Sequence, residues 1–373
     1  MEIDWQTADF TPRAPSGKAL AALTRAVAAE PQRPALKLML AHHLYERGNH
    51  AEIETLLASL DGAQADFLRG RSAGARGEME TAIALLTRAG EVGECDLAIV
   101  LARAGRAEDA IAVARRVLAR APDDVAALQV LGKLLLNRGE AQAAYDLADG
   151  LWRGGTHRAQ VAWTRAWAAR ALGRDSEFRA LTEREPWFAT TRLDLDDAAL
   201  VEAVLGAQTL QPPPTFRPIR GQVRRVDKFE AEGGAAVRAL HAAVRAQIER
   251  YRAERLHIDH PLMEGWPRRL ALESWALAMR DDGIEDWHIH AGAWVSAVYY
   301  VRNPAREFGG EAGCLGVGAL PRAARWPGGP IETWQITPEP GLLVIFPAWY
   351  AHRTWSTGTQ AERISVAFNA SPA

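Results

Sequence analysis

The sequence predicts an α-helical half followed by a β-rich half, and three observations carry that expectation. From about residue 15 to 185 the chain is rich in Ala, Leu and Arg, with apolar residues at helical spacing. Glycine-centred turns recur in that stretch at Gly105, Gly139 and Gly173, evenly spaced along the chain. From Leu270 onward, short apolar runs alternate with Gly/Pro turns, the pattern of a sheet sandwich or small barrel. The expected divisions are a helical repeat domain over residues 15–185, a proline-rich linker over 186–225 leading into the second domain, and that domain over 226–373.

The helical half reads as helix–turn–helix units. In Val125 to Asn137, Leu128, Leu131, Gly132 and Leu135 fall on one stripe, the i, i+3, i+4, i+7 pattern of an amphipathic helix. A turn at Arg138-Gly139-Glu140 and a second helix, AQAAYDLADGLW, follow. Earlier turns at Gly48 and Gly77 are less regular and more closely spaced. Small residues stand where paired helices would approach: Ala98, Gly132 and Ala166 in first helices, Ala82, Ala110 and Ala144 in second helices. Pro31 and Pro122 stand at one and the same distance before their turn glycines, Gly48 and Gly139. A period of about 34 residues with these small positions resembles the tetratricopeptide repeat, an α-solenoid unit. Phe178 replaces the small residue in the last unit, as a terminal unit allows.

The segment GAQTLQPPPTFRPIRGQ, with its triple proline, cannot be a helix interior. Residues Gly233 to Glu254 then form one expected amphipathic helix, with Val237, Leu240, Val244 and Ile248 on a stripe. Strands are expected at Leu270–Met279, Trp294–Val301, Ile331–Thr337, Gly341–Phe346 and Arg363–Asn369, within a total of about eight over about 110 residues.

Bulk properties narrow the function. A net charge of −2 over 373 residues lacks the basic excess of a nucleic-acid binder. Cys95 and Cys314 form no CxxC pair, which argues against a disulfide framework and fits a reducing, cytoplasmic setting. The N-terminus has no secretory pattern, and no apolar run reaches about 18 residues, so no membrane partner is expected.

The chemistry concentrates around DWHIH. Side chains alternate on a strand, so His288 and His290 would project to one side at a spacing suited to one metal ion. His352 comes much later in the chain, Arg363 follows it closely, and Ser365 shares Arg363's face. Tyr300 shares parity with Ser296 and Val298 and is preferred over Tyr299 as an inward hydroxyl. Trp287, Trp294, Trp349 and Trp355 cluster around these positions, as packing or as the rim of a substrate mouth.

This order resembles the iron- and 2-oxoglutarate-dependent oxygenases. HIHAGAWVSAVYYV, GLLVIFPAWYAHRTW and ERISVAFN resemble one subgroup in particular, over about residues 255–370, with Ala291 and Ala297 in place of its usual Pro and Gly. The resemblance implies a double-stranded β-helix, or jelly roll, with flanking helices. It implies Fe(II), 2-oxoglutarate as cosubstrate, and O2. His288 and His352 match the two ligand histidines, and Arg363 matches the cation that grips the far carboxylate of 2-oxoglutarate, since a guanidinium fork fits a carboxylate. Ser365 and Tyr300 are its hydroxyl partners. His290 stands where the family usually has a carboxylate. Three arrangements fit: His290 binds the metal directly, water binds with His290 behind it, or a carboxylate comes from Asp286 or Glu311. The first is the ligand set adopted, giving His288, His290 and His352.

The implied activity is a dioxygenase, by default a hydroxylase, acting on a protein or peptide partner held in the repeat groove. A small-molecule oxygenase whose repeats serve oligomerisation, and a metal-binding, cupin-like scaffold without oxygenase activity, are the alternatives. Neither motif names the substrate or the oligomeric state.

Overall fold

The computed structural model describes residues 17–46, 49–154, 158–210, 212–213, 219–290, 292–304, 310–318 and 333–373. The expected turn at Gly48, Ala291 and the start of the strand expected at Ile331 lie outside them. By Cα proximity the chain divides into two compact units at Glu140/Ala141.

The repeat turns have one physical form. Gly77, Gly105, Gly139 and Gly173 all adopt positive φ, between 73° and 84°. Across each glycine the next amide donates back over the helix end: Glu78 to Ala73, Arg106 to Leu101, Glu140 to Leu135 and Arg174 to Ala169. This 6→1 bond satisfies carbonyls that the ending helix orphans, and it needs a residue free to turn left-handed. Helix Val125–Asn137 starts on Asp124, whose side chain accepts from the Ala127 amide. Leu128, Leu131, Gly132 and Leu135 are all buried in it. Ala82, Ala98, Ala110, Ala144 and Ala166 are buried as well, with Phe178 at the last small-residue position.

The later unit contains eleven strands among the described residues: β1 (Ala189–Arg192), β2 (Ile219–Arg220), β3 (Val223–Asp227), β4 (Leu270–Met279), β5 (Ile284–His288), β6 (Val295–Arg302), β7 (Leu315–Gly318), β8 (Trp334–Ile336), β9 (Leu342–Pro347), β10 (Ala351–Thr354) and β11 (Arg363–Pro372). They form two antiparallel sheets, ordered β1-β9-β6-β11-β4-β3 and β2-β5-β10-β7-β8. The fold is thus a helical repeat region followed by an antiparallel double-sheet domain of jelly-roll type. The eight strands from Leu270 agree with the number expected. The proline-rich segment adds β1 to β3 and a helix, Asp197–Leu205, so it builds the sheets' edges rather than merely bridging domains.

The helix Ala235–Ala253 buries Val237, Leu240, Val244 and Ile248. The last repeat helices belong to the same unit as the sheets. Trp349 Nε1 donates to the Leu181 carbonyl at 3.0 Å, and the Tyr350 hydroxyl donates to that of Glu183. His260 reaches the Ala180 carbonyl through Nε2. No helix of the described residues is long and apolar enough to cross a membrane.

Candidate metal centre

Strand register assembles the site. His352 on β10 stands opposite His288 on β5, so antiparallel pairing alone places the two imidazoles together. Their ring centroids are 4.2 Å apart. His290, just past the end of β5, is held by its amide donating to the Ala348 carbonyl at 2.9 Å. One ligand atom from each of the three histidines lies within 4.8 Å of the others. The Nε2 atoms of His290 and His352 are 3.1 Å apart. Two adjacent donors at the ~2.1 Å of a metal–imidazole bond would sit about 3.0 Å apart.

Hydrogen bonds set the tautomers. His288 Nδ1 lies 2.7 Å from the Asp286 carbonyl, and His352 Nδ1 lies 3.0 Å from that of Tyr350. A carbonyl only accepts, so each Nδ1 carries the proton and each Nε2 presents a lone pair. Burial, then the neighbouring His288, pushes the His352 pKa down to about 3, which keeps it a neutral donor. His290 Nδ1 faces the Asn369 side-chain amide at 3.4 Å, whose oxygen accepts from Ser296 Oγ at 2.9 Å. An amide can turn either end to a histidine, so Asn369 suits either His290 tautomer.

Arg363 opens β11 and is only 1% exposed. Its Nε donates to the Gly313 carbonyl at 3.2 Å, and Nη1 approaches Ser365 Oγ at 3.3 Å and Met279 Sδ at 3.6 Å. No described carboxylate lies within ion-pair distance of it. Its guanidinium carbon is 5.1 Å from the Tyr300 ring centroid. The buried Tyr300 hydroxyl has no hydrogen-bond partner beyond that guanidinium, and burial raises its pKa to about 12, so it stays a donor. Burial also lowers the Arg363 pKa from its ordinary value without neutralising it. Arg363, Ser365, Tyr300, His290 and His352 line one cavity between the sheets. Ser296 and Val298 line it too, whereas Tyr299 turns away and donates to Asp197 at 2.6 Å.

The carboxylates expected as alternative ligands lie elsewhere. Between the pairs His352–His288 and Thr354–Glu285, β5 places two residues, Asp286 and Trp287, against one, Arg353. This bulge breaks the alternation that gave Asp286 the parity of the histidines. Asp286 instead accepts from the Trp287 amide and lies 3.8 Å from Arg220. Glu311 accepts from Gln335 at 2.6 Å on an exposed edge. Glu285 lines the cavity in their stead. Sequence reasoning missed it because a bulge leaves no mark in the residue pattern. It also missed Asn369, which the odd-numbered inward run of Arg363, Ser365 and Ala367 could have found.

The tryptophans separate into two groups. Trp294 and Trp349 are buried, donating to the Leu262 and Leu181 carbonyls. Trp287 and Trp355 pack edge to face with the Arg353 guanidinium beside both rings.

Residues 273–369 match the family described as "Putative 2OG-Fe(II) oxygenase", a span that includes all three histidines, Arg363 and Ser365. This segment is a 2OG-Fe(II) oxygenase domain. Residues 96–134 match the tetratricopeptide repeat family. The chain thus carries a segment that matches the "Putative 2OG-Fe(II) oxygenase" family and another that matches the tetratricopeptide repeat, and the former family implies Fe(II), 2-oxoglutarate and O2. No curated relative matches the chain. Among solved structures, a Pseudomonas putida prolyl-4-hydroxylase aligns at 16% identity, with 56% of this chain, 99% of that one and a TM-score of 0.36. A Trichoplax adhaerens prolyl hydroxylase in complex with a hypoxia inducible factor peptide fragment aligns at 14% identity, 55% and 92% coverage, and a TM-score of 0.37. The tetratricopeptide-repeat protein YrrB aligns at 18% identity, 44% and 90% coverage, and a TM-score of 0.34.

Proposed function

We propose that this chain is an Fe(II)- and 2-oxoglutarate-dependent dioxygenase that hydroxylates a protein or peptide presented by its repeats. The observation that carries the reading is Arg363, a buried cation without a carboxylate at ion-pair distance, in the same cavity as His290 and His352, two of the three converging imidazoles. A buried, unpaired charge is costly unless an anion meets it. A dicarboxylate spanning from the histidines to Arg363 would meet it. A metal-binding scaffold has no use for that cation.

The residues present fit both groups. His288, His290 and His352 would hold the iron, two of them with Nε2 already freed by their Nδ1 hydrogen bonds. Arg363 would take the far carboxylate of 2-oxoglutarate, with the Ser365 and Tyr300 hydroxyls beside it. When bound, the iron and cosubstrate supply oxidation of a C–H bond, with succinate as coproduct. The protein positions these groups and encloses them between two sheets that keep bulk water away. Stacked helical repeats offer the groove that extended peptides commonly fill.

The test is Fe(II)-dependent succinate release from 2-oxoglutarate by the full chain, screened over peptide pools. Peptide-stimulated release that Arg363→Ala abolishes is the expected result. Release stimulated only by small molecules would remove the peptide reading, and no release under any condition would remove the oxygenase reading.

A further inference from the structure

Trp275 brings to the cavity a donor that neither the metal nor Arg363 accounts for. It lies on β4, is only 7% exposed, and lines the cavity with His290, His352 and Arg363. Its indole Nε1 is buried and has no hydrogen-bond partner. A buried N–H without an acceptor is destabilising, and an indole nitrogen only donates. Its partner must therefore be an acceptor, which excludes a cation. Strand register gives its level in the cavity. Along β11, Arg363, Ser365, Ala367 and Asn369 stand opposite Met279, Leu277, Trp275 and Glu273 of β4. Arg363 marks one end of this row, and Asn369, whose amide is 3.4 Å from His290 Nδ1, marks the metal end. Trp275 is one step from the metal end, with its ring centroid 5.2 Å from that of His290. Across β3, β4, β11 and β6 at this level stand Asp227, Trp275, Ala367 and Val298, of which Trp275 alone carries a side-chain donor. The guanidinium carbon of Arg225, which pairs with Asp227, lies 4.7 Å from the indole centroid and packs the ring in place.

We propose that the Trp275 N–H binds the keto-acid carboxylate of 2-oxoglutarate, the end opposite to the carboxylate that Arg363 takes. The inference rests on reading this cavity as the cosubstrate site. A 2-oxo acid chelates a metal ion through its keto oxygen and one carboxylate oxygen. The second oxygen of that carboxylate is left to accept a hydrogen bond from the protein. An ionised acceptor makes the stronger bond and offsets the burial of the donor. A ring already packed against His290 and Arg225 loses little freedom when the ligand arrives. Trp275 and Arg363 thereby hold the two ends of one dicarboxylate, the first with a single N–H and the second with a charged fork.

The experiment titrates 2-oxoglutarate calorimetrically into the full chain loaded with Co(II), which stands in for Fe(II) without reacting with oxygen. Trp275→Phe keeps a ring and loses the N–H. It is expected to weaken 2-oxoglutarate binding about 10- to 100-fold while Co(II) affinity stays at the wild-type value. 2-Oxopentanoate, with the same five carbons and keto-acid end but no far carboxylate, separates the two ends in competition titrations. It should lose affinity on Trp275→Phe by a similar factor and be little changed by Arg363→Ala. Where the phenylalanine form fails to fold, 3-benzothienylalanine at position 275 exchanges the N–H for sulfur in nearly the same shape. Wild-type affinity for 2-oxoglutarate in a folded variant would overturn the proposal. Loss of 2-oxoglutarate with 2-oxopentanoate unchanged would overturn it too, since the N–H would then serve the far end. If the Co(II)-loaded wild-type chain binds no 2-oxoglutarate, this inference falls together with the proposed function. If it binds and the Trp275 variants match it, this inference falls alone.

Discussion

Ser365 on β11 stands directly opposite Tyr300 on β6, and Arg363, two residues before Ser365, approaches its hydroxyl at 3.3 Å. Two strands thereby set one guanidinium and two hydroxyls against a single cavity. Arg363→Ala is expected to weaken 2-oxoglutarate binding by at least about 100-fold, the scale of losing one partner of a buried charge pair. Arg363→Lys should recover little of this, because an ammonium lacks the guanidinium's planar fork. Ser365→Ala removes one neutral hydroxyl and should cost about 1 kcal/mol. Calorimetric titration of 2-oxoglutarate into the metal-loaded protein orders the three variants. Equal affinity in Arg363→Ala would place the cosubstrate elsewhere.

His290 occupies the position at which the sequence motif departs from the usual pattern. It packs its ring 4.9 Å from both His288 and His352. His290→Ala is expected to lower Fe(II) affinity by at least about tenfold, with larger losses for His288→Ala and His352→Ala. Anaerobic Fe(II) titration measures this directly. Unchanged affinity in His290→Ala would mean that water fills its place and that the imidazole only stands behind it.

Strand parity made much of this centre legible before any fold was known. His288, Ser296, Tyr300, Arg363 and Ser365 all follow the period-2 rule, and His352 joins them because antiparallel pairing sets it against His288. The turn glycines were legible for a similar reason, since each marks a helix end that needs positive φ. Glu285 was hidden because one inserted residue reverses parity on one side of it, and only the pairing register reveals where. The short strands β1 to β3 were hidden because their partners β9, β5 and β4 lie far along the chain, and proline and polar residues in the segment read as linker. The division at Glu140 was hidden as well, because it reflects contacts between residues far apart in the chain, such as those that bring Trp349 and Tyr350 to the last repeat.

Those bonds decide where the chain can be cut. Removing residues 1–140 keeps the Leu181 and Glu183 carbonyls that Trp349 and Tyr350 use. Removing 1–185 strips both, and the Ala180 carbonyl of His260 as well. Each buried donor left unsatisfied costs about 1–3 kcal/mol, together a large fraction of a domain's stability. The shorter deletion is expected to unfold cooperatively in urea, and the longer one to lose its near-ultraviolet dichroism. If the shorter deletion keeps metal binding and loses only peptide-stimulated turnover, the repeats present the substrate. Equal stimulation in deletion and full chain would leave them another task.

Stability should also depend on pH through a group away from the metal. His241 on helix Ala235–Ala253 is buried, with Nε2 at 2.9 Å from Ser274 Oγ and its ring against Phe368. Ser274 Oγ donates to Glu230 at 2.6 Å and accepts from the Glu230 amide, so the histidine supplies the remaining hydrogen. Burial, then the nearby Arg245, pushes its pKa down to about 4. In the unfolded chain it returns to about 6.5. Between those values the unfolded state takes up a proton that the folded state refuses, so stability falls as pH falls from 6.5 toward 4. A shift of this size corresponds to about 3 kcal/mol by pH 4. His241→Gln keeps a donor for Ser274 and cannot titrate. Urea unfolding of the metal-free protein from pH 7.5 to 4.5 should show the wild type losing about 2–3 kcal/mol more than the variant. The raised pKa of Glu230, caused by its burial, acts in the opposite direction and is present in both proteins. Parallel stability curves for the two would show that His241 accepts its proton in the folded state as readily as in the unfolded one.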